Sequence, residues 1–278
     1  MANGPPLNFD DIDAWFPLLN YVLGALLPCD INRRLTDAAP EYIEDARDLV
    51  FQLADRERII DALVDWLQSS QLLTYHGTRL TDEEVQNVEK QGLKTLTVEE
   101  RRGRIVRSLS AHHKWNAVAG RLDAVLRAYG AGVAGAREGG VHLTVSRSGL
   151  TNGFNHYLTH GAEVDQHIAF DLLGDEGNER LCHDGKPRIV TVRVPGDIAL
   201  RAANRYFSLE ELRARQTAPN LVTDFLKSWS FRLAYPRFQS CTLELDSGLV
   251  FDQPIPAEWI AGIDTLADEE LKTRKERQ

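Results

Sequence analysis

The sequence predicts an α+β fold in which a helical N-terminal part is followed by strands with helices between them. Three observations predict it. Within residues 1–70 the apolar side chains recur at helical spacing, as in Ile59, Ile60, Leu63, Val64 and Leu67. Short β-prone runs begin only at Leu72. Arg188–Val194 is then a β-branched run that alternates between apolar and polar residues from Val190 on and is closed by Pro195-Gly196, the clearest strand in the chain.

The elements follow in order. Trp15 to Pro28 reads as a buried helix interrupted by Pro17 and Gly24. A helix is expected to start at Pro40-Glu41 and to carry Ile43, Ala46, Leu49, Val50 and Leu53 inward. Leu72–His76 reads as a buried strand that ends at Gly77. Thr81 and Glu84 have the spacing of a capping box, and the helix they open stops at Gly92. Residues 97–129 read as one long basic helical stretch, and Gly130–Gly140 as a glycine-rich turn or loop. Strands are expected at Val141–Val145 and His156–Thr159, and a helix over Ala162–Leu173. Phe207–Phe225 reads as a helical connection. Cys241–Leu245 and Leu249–Phe251 read as two strands joined by a hairpin turn at Asp246-Ser247-Gly248. Ile255–Ile260 closes the fold, and the charged tail from Asp268 is expected to fray. The division implied is a helical region 1–70, a domain 71–265 and a tail 266–278.

Composition narrows the function classes. Hydrophobic residues make up 43% and charged residues 26% of the 278, an ordinary globular balance. No apolar run reaches the roughly 18 residues a membrane span requires, and acidic rather than basic residues precede the first apolar stretch, so a cytoplasmic protein without a membrane partner is expected. Three widely spaced cysteines, Cys29, Cys182 and Cys241, form neither a disulfide framework nor a metal motif. His112-His113 is read as surface, because neighbouring helical residues point apart, and no metal site is expected. The net charge of -9 argues against general nucleic-acid binding. It is unevenly spread: residues 1–70 hold thirteen acidic against five basic residues, and residues 94–137 nine basic against three acidic. Such asymmetry marks either a partner surface, with a protein partner for the acidic region, or two regions that pack together.

The most informative segment is Tyr75-His76-Gly77-Thr78-Arg79, a strand that ends in His-Gly-Thr, followed by a capped helix and by Gly92-Leu93. It resembles the opening motif of the His-Tyr-Glu branch of the ADP-ribosyltransferase superfamily, the branch of diphtheria-type toxins and poly-ADP-ribose polymerases. In that family a Tyr-bearing strand and a helix with a second ring come next, and Tyr157 and His167 stand at those places. The resemblance covers residues 72–262. It implies a split antiparallel sheet, NAD as substrate, and transfer of ADP-ribose to a macromolecular acceptor, protein or nucleic acid, with release of nicotinamide, in a toxin-like or defence context.

The resemblance also implies roles. His76 meets a ribose hydroxyl, the Gly77 backbone holds the nicotinamide carboxamide, and Thr78 supports the ribose or the His76 ring. Tyr157 offers a ring for nicotinamide to stack on, His167 covers its other face, and Arg79 meets the pyrophosphate. Each residue also has an ordinary reading: a strand-end histidine, a half-buried strand tyrosine, a helix-surface histidine and a solvated arginine. The third family position, a Glu, is where the sequence departs. Gln239 sits near the expected place and Glu244 is the nearest carboxylate. On a strand these two residues point to opposite faces, so only one of them reaches a given cleft. Two other readings stay open: a catalytically inert module that binds NAD or ADP-ribose, and an RNA 2'-phosphotransferase-like enzyme, which needs basic residues converging on a phosphate.

Overall fold

The computed structural model describes residues 4–95, 97–129, 139–208, 210–211, 220–243 and 248–271. It is an α+β protein with thirteen α-helices among the described residues, a helical N-terminal part and a five-stranded antiparallel sheet. The strands are β1 (Gln71–Leu80), β2 (Val141–Thr144), β3 (Lys186–Pro195), β4 (Gly248–Phe251) and β5 (Ile260–Thr265), in the spatial order β4-β2-β1-β3-β5. The strand that carries His76 is thus the central one.

Two compact units divide the chain, and neither is continuous in sequence. Unit 1 takes residues 1–74, 144–149 and 193–249, and unit 2 takes 75–143, 150–192 and 250–278. The helical region 1–70 lies within unit 1.

Unit 1 contains α1 (Ile12–Leu23), α2 (Ile31–Ala38), α3 (Ile43–Leu53) and α4 (Arg56–Gln68). α3 starts two residues later than the sequence suggests, with the Asp45 carboxylate accepting the Tyr42 N–H at 3.1 Å. Two later helices complete the unit. Its core is aromatic: Phe225 meets Phe9, Trp15 and Trp66 edge-on, with ring centroids 5.2, 5.0 and 5.4 Å apart. Such geometry adds about 0.5–1.5 kcal/mol per pair beyond area burial.

Unit 2 contains α5 (Asp82–Gln91), α6 (Val98–Leu109), α7 (Trp115–Val118), α8 (Leu122–Ala128), α9 (His156–His160), α10 (Glu163–Leu173) and α11 (Asp175–Leu181). The helices numbered next, α12 (Gly196–Ala203) and α13 (Asn220–Ala234), belong to unit 1. The unit 2 core joins Ile105 and Leu109 of α6, Leu122 and Leu126 of α8, Val164, Ile168 and Leu172 of α10, and Leu181. The apolar stripe expected along residues 162–173 is the one that is buried.

Several expected elements differ. β1 does not end at Gly77 but runs on to Leu80. The long helix over 97–129 is broken: α6 ends at Leu109 and α7 begins at Trp115, with a turn between that holds both His112 and His113. His156–Thr159 is not a strand but α9. Its β-prone composition is overridden from both ends, because the Asn155 carbonyl accepts the N–H groups of Leu158 and Thr159, both at 2.9 Å, and Gly161 stops the helix at φ 85°. The strand expected from Cys241 is likewise absent up to Leu243, where Ser240–Thr242 forms a 3-10 turn. Ser240 Oγ donates to the Phe9 carbonyl at 2.5 Å, and Thr242 Oγ1 donates to the Gln239 carbonyl at 2.7 Å. Most of the glycine-rich 130–140 segment and Asp246-Ser247 lie outside the described residues. Of the tail, Asp268–Leu271 is ordered as a 3-10 turn, with Leu271 buried.

Candidate functional site

The residues that carry the His-Gly-Thr motif lie in unit 2 on β1. The half-buried His76 donates Nδ1–H to the His142 carbonyl of β2 at 2.8 Å. A carbonyl can only accept, so the proton sits on Nδ1 and Nε2 keeps its lone pair. Burial pushes the His76 pKa below the usual histidine value, and the nearby Arg104 guanidinium adds to this, against the hydrogen bond to His142. The ring is therefore a neutral, orientationally fixed acceptor at neutral pH.

The C-terminal side of β1 is built as the sequence suggests. The Thr81 hydroxyl accepts the Glu84 N–H at 3.2 Å, and Glu84 accepts the Thr81 N–H at 2.8 Å, which completes the capping box. Gly92 ends α5 at φ 78°, and a Cβ there would lie 1.8 Å from the Ile255 carbonyl oxygen. Glycine is required at that position by both criteria.

Gly77 has a packing reason as well. A Cβ there would meet Leu150 Cδ2 at 3.0 Å and Leu158 Cδ2 at 3.4 Å. The close approach along its Cα direction is made by two leucines of the protein itself. Leu158 belongs to α9, so α9 packs on the face of β1 from which Gly77 and Arg79 project. His76 and Thr78, one residue out of phase, leave β1 on the other face.

Arg79 is neither a loop residue nor solvated. It is 3% exposed, and its guanidinium donates to the carbonyls of Leu158 (3.3 Å), Thr159 (3.4 Å) and Gly185 (2.8 Å) and to Asp268 Oδ1 (2.9 Å). Its fork ties α9, the turn before β3 and the Asp268–Leu271 turn to β1. Those bonds leave it no role at a pyrophosphate.

Tyr157 is on a helix rather than a strand, with its ring centroid 4.0 Å from that of His156. On the same short helix the half-buried His160 has a pKa lowered by burial first and by the charge of His156 next. His167 is exposed on α10 and stacks on Tyr129 at 5.7 Å, the helix-surface reading of that residue. Gln239 belongs to unit 1, where its amide donates to Asp13 Oδ2 at 3.2 Å. The strand alternation that separated it from Glu244 has no strand to act on, and Glu244 lies outside the described residues.

Sequence reasoning missed a buried ionic cluster behind β1. Arg104 Nη2 donates to the Arg79 carbonyl at 2.9 Å, and its Nε lies 3.5 Å from Asp165 Oδ2. Burial raises the Asp165 carboxyl above its ordinary value, against the pull of Arg104 and Arg101. Asp184 accepts from Arg107 at 3.2 and 3.1 Å and from the Ser108 hydroxyl at 2.7 Å; burial works to raise its pKa, but these bonds outweigh it and the carboxyl lies below its ordinary value. The three-residue spacing of Arg101, Arg104 and Arg107 on α6 was the available signal, since it puts them along one side of a helix. Four of the nine basic residues of 94–137 are paired with carboxylates inside unit 2: Arg102 with Asp123, Arg104 with Asp165, Arg107 with Glu84 and Asp184, and Lys114 with Glu176. Compared with known protein families, with curated proteins and with solved structures, the chain has no match.

Proposed function

We propose that the chain binds NAD and transfers ADP-ribose from it to a macromolecular acceptor, with His76 as the ribose ligand. One observation carries the reading: on the central strand, His-Gly-Thr presents a neutral histidine locked through Nδ1, ahead of a capped helix and Gly92-Leu93. The free lone pair on Nε2 accepts a hydrogen bond from a ribose hydroxyl. The residues present suit the ribose end of NAD and do not supply Arg79 to its pyrophosphate.

In the transfer, the bond between the nicotinamide nitrogen and ribose C1′ breaks, and nicotinamide leaves with the electron pair. A lone pair of the acceptor forms the new bond to C1′, and the acceptor's proton passes to solvent. Positive charge grows on the ribose meanwhile, and a carboxylate would stabilise it. Mass spectrometry of NAD incubated with the protein tests the reading. Free nicotinamide is expected from the wild type and, at sub-saturating NAD, roughly 2- to 10-fold more slowly from His76→Ala; the absence of both turnover and NAD binding in the wild type ends it.

A second reading, NAD or ADP-ribose binding without turnover, is favoured by α9, which packs on the Gly77 side of β1 rather than the His76 side. It predicts calorimetric binding with no nicotinamide released. The RNA 2'-phosphotransferase reading needs cations converging on a phosphate, and Arg102, Arg104, Arg107 and Lys114 each sit on a carboxylate instead.

A further inference from the structure

The turn between α6 and α7 brings together three groups that the linear pattern keeps apart. The His112 and His113 rings stand with centroids 4.5 Å apart and planes inclined by 36°. His112 Nε2 lies 3.0 Å from Oε2 of Glu176, in the first turn of α11. One ligand atom from each of His112, His113 and Glu176 lies within 4.8 Å of the others. A tetrahedral zinc ion, with bonds of about 2.0–2.1 Å, holds its donors about 3.4 Å apart, so small side-chain rotations bring all three into range.

We propose that His112, His113 and Glu176 form a surface site for a divalent transition metal of the zinc class, which displaces the Lys114 ammonium from Glu176 and clamps the α6–α7 turn onto α11. Two imidazoles and a carboxylate select such an ion over magnesium or calcium, which prefer all-oxygen shells. Lys114 already shows that a cation is held there: its Nζ lies 2.7 and 2.9 Å from the two Glu176 oxygens. The same bonds hold the Glu176 carboxyl below its ordinary value, with burial opposing. In the metal-free protein Lys114 N–H donates to His112 Nδ1 at 3.3 Å, so the His112 proton is on Nε2 and faces Glu176. Metal binding through Nε2 moves that proton to Nδ1, which ends the bond from the Lys114 N–H. The three ligands leave further coordination positions for water.

The test is calorimetric titration of Zn2+ into the chelator-treated full chain, with Cys29→Ser and Cys241→Ser to remove the two exposed thiols. One Zn2+ per chain is expected, with binding weakened at least about tenfold in His112→Ala, in His113→Ala and in Glu176→Gln. Lys114→Gln removes the competing ammonium and tightens binding. Thermal unfolding gives a second readout, in which Zn2+ raises Tm and Mg2+ does not, and the rise is lost in His113→Ala. That exposed position tolerates replacement, so loss of the fold does not mask the result. The proposal is overturned if no one-to-one binding occurs, if His113→Ala binds like the parent, or if Lys114→Gln binds no tighter.

Discussion

His76 donates its Nδ1–H to the carbonyl of His142 at 2.8 Å, so the ring of one strand is oriented by the backbone of the next. The bond fixes which nitrogen is offered to a ligand, and burial keeps the ring neutral. On the proposed reading, His76→Ala removes one hydrogen bond to the ribose, worth about 0.5–1.5 kcal/mol net, or roughly a 2- to 10-fold rise in the Kd for NAD. Calorimetry on the two proteins measures it, and equal constants remove His76 from the site.

Arg79 gives the opposite expectation. Arg79→Ala leaves the carbonyls of Leu158, Thr159 and Gly185 without their buried donor, at about 1–3 kcal/mol for each one that water does not reach. Urea unfolding is expected to show a loss of about 3 kcal/mol or more. Arg79→Lys recovers only part of it, because an ammonium cannot reproduce the fork. An unchanged midpoint combined with lost NAD binding would show Arg79 to be a ligand residue instead.

The glycines separate into those with a reason and those without. Gly92→Ala combines a positive φ with overlap of its Cβ onto the Ile255 carbonyl, and a loss of more than about 2 kcal/mol is expected. Gly103, exposed inside α6 with nothing within 4 Å of its would-be Cβ, behaves the other way. Gly103→Ala is expected to stabilise by about 0.5–1 kcal/mol in the same unfolding measurement.

Stability should also depend on pH with a sign that the buried groups fix. His76 and His160 have folded-state values depressed below the ordinary 6.5, so the unfolded chain binds more protons in the window just below that value. Stability therefore falls as pH drops through it. Asp165 acts in reverse: its carboxyl is raised above 3.8, so in the window just above that value the folded state binds more protons, and its contribution improves as pH falls. His76→Asn should flatten the first dependence in urea midpoints taken from pH 7.5 to 5.5. An unchanged slope would show that His76 titrates alike folded and unfolded.

What the sequence made legible was mostly local. The Thr81–Glu84 box, the Gly92 stop, the Arg188–Val194 alternation and the buried stripe of residues 162–173 all depend on neighbours a few positions away. Asn155 and Gly161, which bracket α9, carried a helix signal that the composition of His156–Thr159 outweighed in the reading. Arg79 was not legible as a core residue, because its partners lie 79 to 189 positions away. The reason for reading His112-His113 as surface does not carry over to the structure: the argument that the rings diverge holds on a helix, and the chain makes a turn there.

The discontinuity of unit 1 bears on synthesis. Trp15 and Phe9 leave the ribosome early, yet the ring they pack against belongs to Phe225, about 210 residues later. At roughly 5–20 residues per second, the N-terminal helices wait on the order of ten to forty seconds with that apolar surface uncovered. A fragment that stops before Phe225 never resolves the exposure, so expression of residues 1–70 alone is expected to give insoluble material.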